Sequence, residues 1–267
     1  MAEPITSLWS RRARLWVVTT LLGLWVWAGG AVVAADATVA VAANFAVPAE
    51  QLRQAFERGS RHRVRLVTGS TGTLYAQIVN GAPFDLFLAA DRRRPAALVD
   101  GGWVAEDGRR TYALGRLVLW SADRDRLRGR DGPAVLSGDS YRRLAIANPR
   151  LAPYGAAAEQ TLTALGLRDR VAARLVRAEN VGQAFTFVVT GQAALGFVAL
   201  SSIRAHGEAG GKPGSSWPVP ARLHEPIAQD AVLLSRARDN AAARAFFAFL
   251  TDAEADETLR RFGYERP

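Results

Sequence analysis

The sequence predicts an α/β fold made of two doubly wound parallel-sheet domains, joined by a hinge and with a ligand cleft between them. Strand and helix patterns alternate along the chain, pause near residues 115–140, and then alternate again. Such alternation is typical of parallel sheets with helices on both faces. We assign residues 36–115 and 226–267 to domain I and residues 116–225 to domain II.

The N-terminus has the pattern of a secretory leader. Arg11, Arg12 and Arg14 precede an uncharged run, Leu15 to Ala35, that ends in small residues suited to signal-peptidase cleavage. We therefore predict a signal peptide at residues 1–35 and a periplasmic location. The apolar run is also long enough to span a bilayer, so an uncleaved membrane anchor is the alternative.

The first half of the mature chain reads as alternating strands and helices. Thr38–Ala43 is an apolar run that stops at Asn44, and Pro48 suits the first turn of a helix. His62–Val67 alternates polar and apolar residues, as a half-buried strand does. The other predicted elements here are helices at Pro48–Arg58, Thr73–Val79 and Arg92–Asp100, and a buried strand at Phe84–Ala89.

The second half repeats the pattern after an interruption. Gly115–Trp120 is predicted as a strand, residues 124–139 as a loop or short helix, and residues 206–217 as a loop rich in Gly, Ser and Pro. Between and after them we predict strands at Leu144–Ala147, Leu175–Ala178, Ala194–Ala199 and Ala228–Leu234, and helices at Gly155–Leu165, Val181–Thr190, Asn240–Leu250 and Ala253–Phe262.

Several kinds of chemistry are excluded or unsupported. The chain has no cysteine, which excludes thiol catalysis, zinc–cysteine sites and iron–sulfur clusters. It has no dinucleotide fingerprint, phosphate-binding P-loop or Gly-x-Ser-x-Gly elbow, and its three histidines lack metal-ligand spacing. Asp85 and Asp91 flank a predicted strand, and we expect capping or surface roles for them, with a catalytic carboxylate pair as the alternative. The net charge of +9 is scattered without a nucleic-acid motif, so no nucleic-acid partner is predicted.

Hydrogen-bond donors at four strand-to-helix turns are the chemistry that remains. Asn44 offers an amide, Thr71 a hydroxyl, Tyr154 a phenol and Val181 a backbone N–H at a helix start. Each residue alone is explained as a cap or a turn. Ligands of such sheets bind beyond the carboxyl ends of the strands, and helix N-termini attract anions. Four donor-bearing turns without a carboxylate therefore favour one small oxyanion, bound between the domains.

These turns belong to longer motifs that resemble a known family. The motifs are Val41–Phe45, Gly69–Ile78, Gly81–Asp91, Asn148–Pro149 with Pro153–Gly155, Ala178–Val181 and Leu195–Ala199. Over most of the mature chain, from Thr38 to Gly263, the sequence resembles the periplasmic molybdate-binding proteins of ABC-type importers, which are type II periplasmic binding proteins.

The resemblance implies the ligand set and the partners. It implies oxyanion contacts from Asn44, Thr71, Tyr154 and Val181, with secondary candidates at Ala43, Ser70 and Gly72. It further implies a monomeric binding protein, not an enzyme, that captures molybdate or tungstate and delivers it to a membrane permease. No cofactor is implied, and molybdenum would be present only within the bound oxyanion, without protein–metal bonds.

Two positions depart from the family pattern. Ala43 lacks the hydroxyl that some members have at the first turn, and Ala199 lies where some members have a tyrosine. Members without that tyrosine carry one in a Pro-Tyr-Gly turn, as this chain does at Tyr154.

Three alternatives stay open at this point. One is a binding protein for sulfate or another small oxyanion, because donor types do not separate these ligands. Another is a periplasmic hydrolase that uses Thr71 or Ser70, which would need a base within reach. The third is a membrane-tethered structural protein.

Overall fold

The computed structural model describes residues 34–267, so nearly all of the predicted leader lies outside the described residues. Within 34–267, no helix has both the length and the apolar character needed to cross a membrane. These residues form one compact unit.

Strands and helices alternate along this unit. The strands are β1 (Asp36–Ala42), β2 (Arg63–Gly69), β3 (Leu86–Leu88), β4 (Val104–Gly115), β5 (Leu117–Ser121), β6 (Leu144–Ala147), β7 (Leu175–Ala178), β8 (Leu195–Ala199), β9 (Ser215–Pro218) and β10 (Ile227–Leu234). The helices are α1 (Ala46–Gly59), α2 (Thr71–Val79), α3 (Arg93–Asp100), α4 (Gly132–Ser137), α5 (Pro153–Ala164), α6 (Arg168–Val171), α7 (Val181–Val189), α8 (Leu200–Glu208), α9 (Ala241–Phe249) and α10 (Ala253–Arg261).

The strands form two five-stranded sheets, as the two-domain prediction requires. The first sheet has the order β2-β1-β3-β10-β4 and the second β7-β6-β8-β5-β9. Both sheets are mixed rather than wholly parallel, because β10 and β5 each run antiparallel to both of their neighbours. The fold class is confirmed with that correction, while the predicted domain boundaries stay a prediction.

The two antiparallel strands are the ones by which the chain enters each sheet from the other. Only Arg116 separates β4 from β5, and residues 219–226 separate β9 from β10. At each crossing, the chain leaves one sheet and continues directly into the other. The strand that it then forms runs antiparallel to its neighbours in the sheet that it enters. These two connections form the junction between the sheets.

β4, α6, α8 and β9 were not predicted from the sequence. The residues of β4 and β9 lack a clear period. β4 contains Gly108, and Asp107 has a φ of 52°, which is unusual for a residue with a side chain. Its pairing with β10 shifts register twice, so polar and apolar residues do not alternate regularly along it. The predicted loop at residues 206–217 contains the end of α8 and most of β9, a short polar strand.

Helices cover the sheets with separate apolar cores. One face of the first sheet packs on α1, α9 and α10, through residues that include Phe45, Leu52, Phe246 and Phe262. Its other face packs on α2 and α3, through residues that include Leu74, Ile78 and Leu98. The sheets therefore hold the four predicted turns on rigid supports.

Candidate functional site

The four predicted turns all lie where a strand ends and a helix begins. β1 leads through a short 3-10 turn, Ala43–Phe45, into α1, and β2 leads through Ser70 into α2. β6 and β7 lead into α5 and α7. β1 pairs in parallel with β2, and β6 pairs in parallel with β7, so each sheet presents two turns at its carboxyl edge.

The turns of one sheet touch those of the other. The backbone N–H of Gly72, at the second turn, donates to the carbonyl oxygen of Leu151, at the third, over 2.8 Å. A Cβ placed on Gly182, at the fourth turn, would lie 3.7 Å from the Cβ of Ala43, at the first. The structure is thus a closed arrangement in which the first turn meets the fourth and the second meets the third.

At the second turn, Thr71 has a hydroxyl hydrogen to donate. Its Oγ1 accepts a 3.2 Å hydrogen bond from the backbone N–H of Ala90, which orients the side chain. Ser70 is the N-cap of α2: its Oγ accepts from the N–H of Thr73 and donates to Thr73 Oγ1 over 2.7 Å. The Ser70 hydroxyl and the Gly72 N–H are therefore already engaged, which favours Thr71 among these candidates.

At the first turn, the amide of Asn44 is engaged within the protein. Its Nδ2 donates to Gln229 Oε1 and to Tyr264 Oη, both over 2.9 Å. Its carbonyl oxygen accepts from Ser201 Oγ over 2.8 Å and from Tyr264 Oη over 2.9 Å. The sequence analysis assigned the amide hydrogens to the ligand, whereas here both hold the turn in place. In this arrangement a contribution of Asn44 to an anion would come from its backbone N–H.

At the third turn, Tyr154 places an unpartnered hydroxyl in the interior. The side chain is 2% exposed, and within residues 34–267 its Oη makes no hydrogen bond. A Cβ on Gly115 would overlap Tyr154 Oη, so the phenol tip depends on glycine at the junction between the sheets. A buried hydroxyl without a partner is costly. Its position indicates a partner that binds at this point.

Gln229 supplies a second unpartnered donor beside Tyr154. The side chain is fully buried on β10, and Oε1 accepts from Asn44 Nδ2 and, over 3.2 Å, from Tyr112 Oη. With Oε1 fixed as the acceptor, Nε2 is the donor, yet it has no hydrogen-bond partner among the described residues. The same Cβ on Gly115 would lie 2.7 Å from it.

Sequence reasoning missed Gln229. The available signal was the polar pair Gln229-Asp230 in the middle of an otherwise apolar buried strand. Asp230 has ordinary structural partners, because it accepts hydrogen bonds from Arg109 Nε and Thr111 Oγ1, each over 2.7 Å.

The phenols around the site stay protonated donors. Burial raises the pKa of Tyr154 well above its usual value, and the neighbouring phenols of Tyr264 and Tyr112 raise it further, while the Gln229 amide acts in the opposite direction. Burial likewise raises the pKa of Tyr112. Burial also raises the pKa of Tyr264 to about 12, against the lowering effect of hydrogen bonds with Ser201 and Asn44.

At the fourth turn, Val181 is the first residue of α7. Helix geometry gives its N–H no acceptor within the helix. Asn180 caps the same end by accepting a 3.0 Å hydrogen bond from the N–H of Gln183. The exposed N–H dipoles of this end favour a negative charge.

Arg94 joins the two sheets next to these turns. It is 8% exposed, pairs with Asp91 through Nη1, and donates from Nη2 to the carbonyl oxygen of Arg150 over 2.9 Å. A Cβ on Gly72 would lie 3.0 Å from Nη2, so the guanidinium borders the second and third turns. Sequence analysis overlooked it because it lies within a run of surface-like arginines.

The remaining candidates have structural roles. Asp85 accepts from the N–H of Thr38 over 2.7 Å and from Arg236 Nη1 over 2.9 Å. Asp91 accepts from the N–H of Arg94 at the start of α3. His62 stacks on Phe56 and accepts from the N–H of Ala35. No cluster of metal-ligating side chains occurs among residues 34–267.

Open hollows elsewhere on the surface do not compete with this site. One hollow of about 570 Å³ is lined by residues 139–143, 191, 192 and 194. Another, of about 610 Å³, is lined by residues 149, 150, 156, 159, 160, 163 and 164. Neither is enclosed by several buried donors, which is what specific recognition of a small anion requires.

Comparison with known proteins settles the family. The profile described as "Bacterial extracellular solute-binding protein" matches residues 37–265. The chain belongs to this family. It is therefore a binding protein of the kind that serves transporters and not an enzyme, as predicted.

Within the family, the chain is similar to two molybdate-binding proteins named ModA. It is 46% identical over 231 residues to the one from Azotobacter vinelandii, covering 86% of this chain and 90% of that protein. It is 43% identical over 231 residues to the one from Rhodobacter capsulatus, covering 86% and 88%. The solved structure of the Azotobacter vinelandii periplasmic molybdate-binding protein superposes with a TM-score of 0.82, at 41% identity, over 86% of this chain and 99% of that one.

Proposed function

We propose that this protein binds molybdate or tungstate in the periplasm and delivers it to the permease of an ABC importer. The observation that carries the proposal is the pair of buried, unpartnered donors, Tyr154 Oη and Gln229 Nε2, beside Gly115 at the junction between the two sheets. Similarity to molybdate-binding proteins at 43–46% identity supports the ligand.

The chemistry of the turns suits an unprotonated tetrahedral dianion. Such a ligand accepts hydrogen bonds through all four oxygens and donates none, so it needs donors without a facing carboxylate. We assign the contacts to Thr71 Oγ1, Tyr154 Oη and the backbone N–H groups of Asn44 and Val181. Ala43, Ser70 and Gly72 then shape the turns, since Ala43 has no polar side chain and the other two have partners inside the protein.

The other functions considered at the outset are less well supported. A hydrolase would need a free hydroxyl nucleophile with a base beside it. The Ser70 hydroxyl instead donates to Thr73, and the Thr71 hydroxyl accepts a hydrogen bond from the N–H of Ala90. The His62 ring is stacked on Phe56 before the start of β2, whereas Ser70 and Thr71 follow the end of that strand. Sulfate remains the competitor to be tested, because sulfate and molybdate accept the same donors and differ mainly in size.

Calorimetry on residues 36–267 tests the proposal. Molybdate and tungstate should bind at least a hundredfold more tightly than sulfate or phosphate. Sulfate affinity equal to or above molybdate affinity would reassign the site to another oxyanion. Absence of heat with all four anions would overturn oxyanion binding altogether. Sedimentation of the same samples tests the proposed monomeric state.

A further inference from the structure

Gln229 lies in the interior as part of a hydrogen-bonded network that reaches the first of the predicted turns. Its Oε1 receives one hydrogen bond from Asn44, at the first turn, and one from Tyr112, on β4. Asn44 is in turn bound to Tyr264, whose hydroxyl lies 3.1 Å from Ser201 Oγ. These contacts fix the direction of the Gln229 amide.

The Nε2 group of the Gln229 amide makes no hydrogen bond among the described residues. With Oε1 receiving two hydrogen bonds, the Nε2 group points to the Gly115 junction, where the equally unpartnered Tyr154 Oη also lies. Tyr154 comes from the second sheet's side on α5, and Gln229 comes from the first sheet. The two atoms therefore come from opposite sheets and lie close together at Gly115.

We infer that Gln229 is a positioning residue of the anion site: in the ligand-bound state its Nε2–H donates to Tyr154 Oη, a hydrogen bond that is not made in the described structure, and this directs the phenol hydrogen to the oxyanion. A tyrosine hydroxyl has one hydrogen to give and lone pairs to receive. Filling a lone pair from Gln229 leaves the hydrogen for the ligand and strengthens it as a donor, because chained hydrogen bonds polarise one another. This inference rests on the proposed function of the same site.

The unpartnered state of both atoms fits this role. A glutamate at position 229 would accept the phenol hydrogen itself and place a negative charge beside the anion. A glutamine therefore leaves the phenol hydrogen available to the anion, whereas a glutamate of the same shape would take that hydrogen and repel the anion. The Asn44 and Tyr112 contacts would persist with either residue, because both use only the acceptor oxygen of Gln229.

Gln229→Glu tests the inference with almost no change in shape. We expect molybdate affinity, measured by calorimetry, to fall at least a hundredfold, because the donor becomes an acceptor that carries charge. Gln54→Glu, on the exposed face of α1, is the control with the same change of net charge and should bind as the parent does. The melting temperatures of the ligand-free proteins are measured alongside, to identify a variant that is merely unfolded.

Gln229→Asn is the second variant, because it keeps an amide but withdraws it by one methylene. We expect at least a tenfold loss of affinity in the parent background and less than a threefold further loss when Tyr154→Phe is already present. The tyrosine ultraviolet difference signal that molybdate induces should shrink in Gln229→Asn and be absent in Tyr154→Phe. A purely structural role of Gln229 would leave that signal intact and make the two losses additive.

The outcomes separate this inference from the function on which it rests. A parent protein that binds no molybdate would overturn both. A parent that binds molybdate while folded Gln229→Glu and Gln229→Asn bind it equally well would overturn the role of Gln229 alone. Additive losses in the double variant would likewise overturn the coupling to Tyr154.

Discussion

At the scale of single residues, the site is defined by which donors already have partners. Ser70, Gly72 and the Asn44 amide are engaged in holding turns and joining sheets. Thr71 has its oxygen held by the Ala90 N–H and its hydrogen available, and Tyr154 has no partner among the described residues. The residue types at the turns thus identify candidates, and the hydrogen bonds distinguish anchors from donors.

Tyr154→Phe tests the proposed donation from the Tyr154 phenol to the bound oxyanion. The change keeps the ring and removes only a hydroxyl that has no partner in the described structure, so the melting temperature of the ligand-free protein should change little. A hydrogen bond to a charged group contributes roughly 1.5–3 kcal/mol, so molybdate affinity should fall about tenfold to a hundredfold. Calorimetry and thermal melting together measure both effects.

Tyr141→Phe is the matched control for that prediction. Tyr141 is also buried, and its hydroxyl donates to the carbonyl oxygen of Leu136 over 2.7 Å. Its removal should lower the melting temperature and leave molybdate affinity unchanged. Equal molybdate affinity in Tyr154→Phe and the parent would contradict the donor role of the phenol.

At the scale of elements, the turn between β6 and α5 is one part of the second sheet's layer that contacts the first. It offers two backbone carbonyls, of Arg150 and Leu151, to Arg94 and Gly72. Both donors lie at helix starts on the first sheet. The contact therefore joins the two sheets, and it occupies the Gly72 N–H, which would otherwise be a candidate donor for the ligand.

Arg94→Gln tests whether this contact stabilises the closed form. The shorter, neutral side chain loses the hydrogen bond to Arg150 and the ion pair with Asp91. We expect molybdate to dissociate three- to tenfold faster in stopped-flow measurements, with little change in the association rate, because closure follows encounter. Arg93→Gln, an exposed neighbour with the same charge change, is the control. Identical dissociation rates in the two variants would exclude this role for Arg94.

At the scale of the whole molecule, two chain connections link the sheets, Arg116 and residues 219–226. We predict that the sheets move relative to each other about these segments. Turns of the two sheets touch in the closed arrangement, so we expect ligand binding and closure to be coupled. The assignment of residues 36–115 with 226–267 and of residues 116–225 to separate domains remains a prediction that this movement would support.

Small-angle scattering measures that coupling. Saturating molybdate should reduce the radius of gyration of residues 36–267, because the ligand favours the arrangement in which all its donors are present. Sulfate at the same concentration is the control and should leave the radius nearer to that of the free protein. A radius that does not change with saturating molybdate would mean that the closed form already predominates without ligand.

Alkaline pH should destabilise the whole protein in a defined window. The buried phenols of Tyr112, Tyr154 and Tyr264 have raised pKa values, that of Tyr264 reaching about 12, so the folded state holds their protons more tightly than the unfolded chain does. Stability is therefore full below pH 10 and falls as the pH rises from 10 towards 12, by about 1.4 kcal/mol per pH unit for each tyrosine.

Urea unfolding at pH 9, 10 and 11 checks this expectation. The chain has a single lysine, Lys212, so tyrosines dominate the titration in this range. Tyr264→Phe should reduce the slope of stability against pH, because it removes one of the phenols whose pKa is raised. A stability that stays constant to pH 11 would contradict the raised pKa values.

The local pattern of the sequence was sufficient to predict most helices and strands and the positions of the four turns. Leu144–Ala147 and Leu175–Ala178 are strands with the predicted bounds, and α7 begins at Val181 as predicted. These features depend on neighbouring residues: apolar runs, caps and breakers act over a few positions. The family was also evident from short motifs around the turns, and the profile match confirms it.

The tertiary structure alone decided the strand directions and the use of each donor. β5 and β10 run antiparallel because the chain enters each sheet from the other, a relation between distant segments that no local pattern encodes. Gln229 is 185 residues from Asn44, and Arg94 is 56 residues from Arg150. A donor that is hydrogen-bonded inside the protein is unavailable to a ligand, however far apart in sequence the two bonded residues are. The residue types at a turn therefore determine what it can offer, and the folded contacts determine what remains available for a ligand.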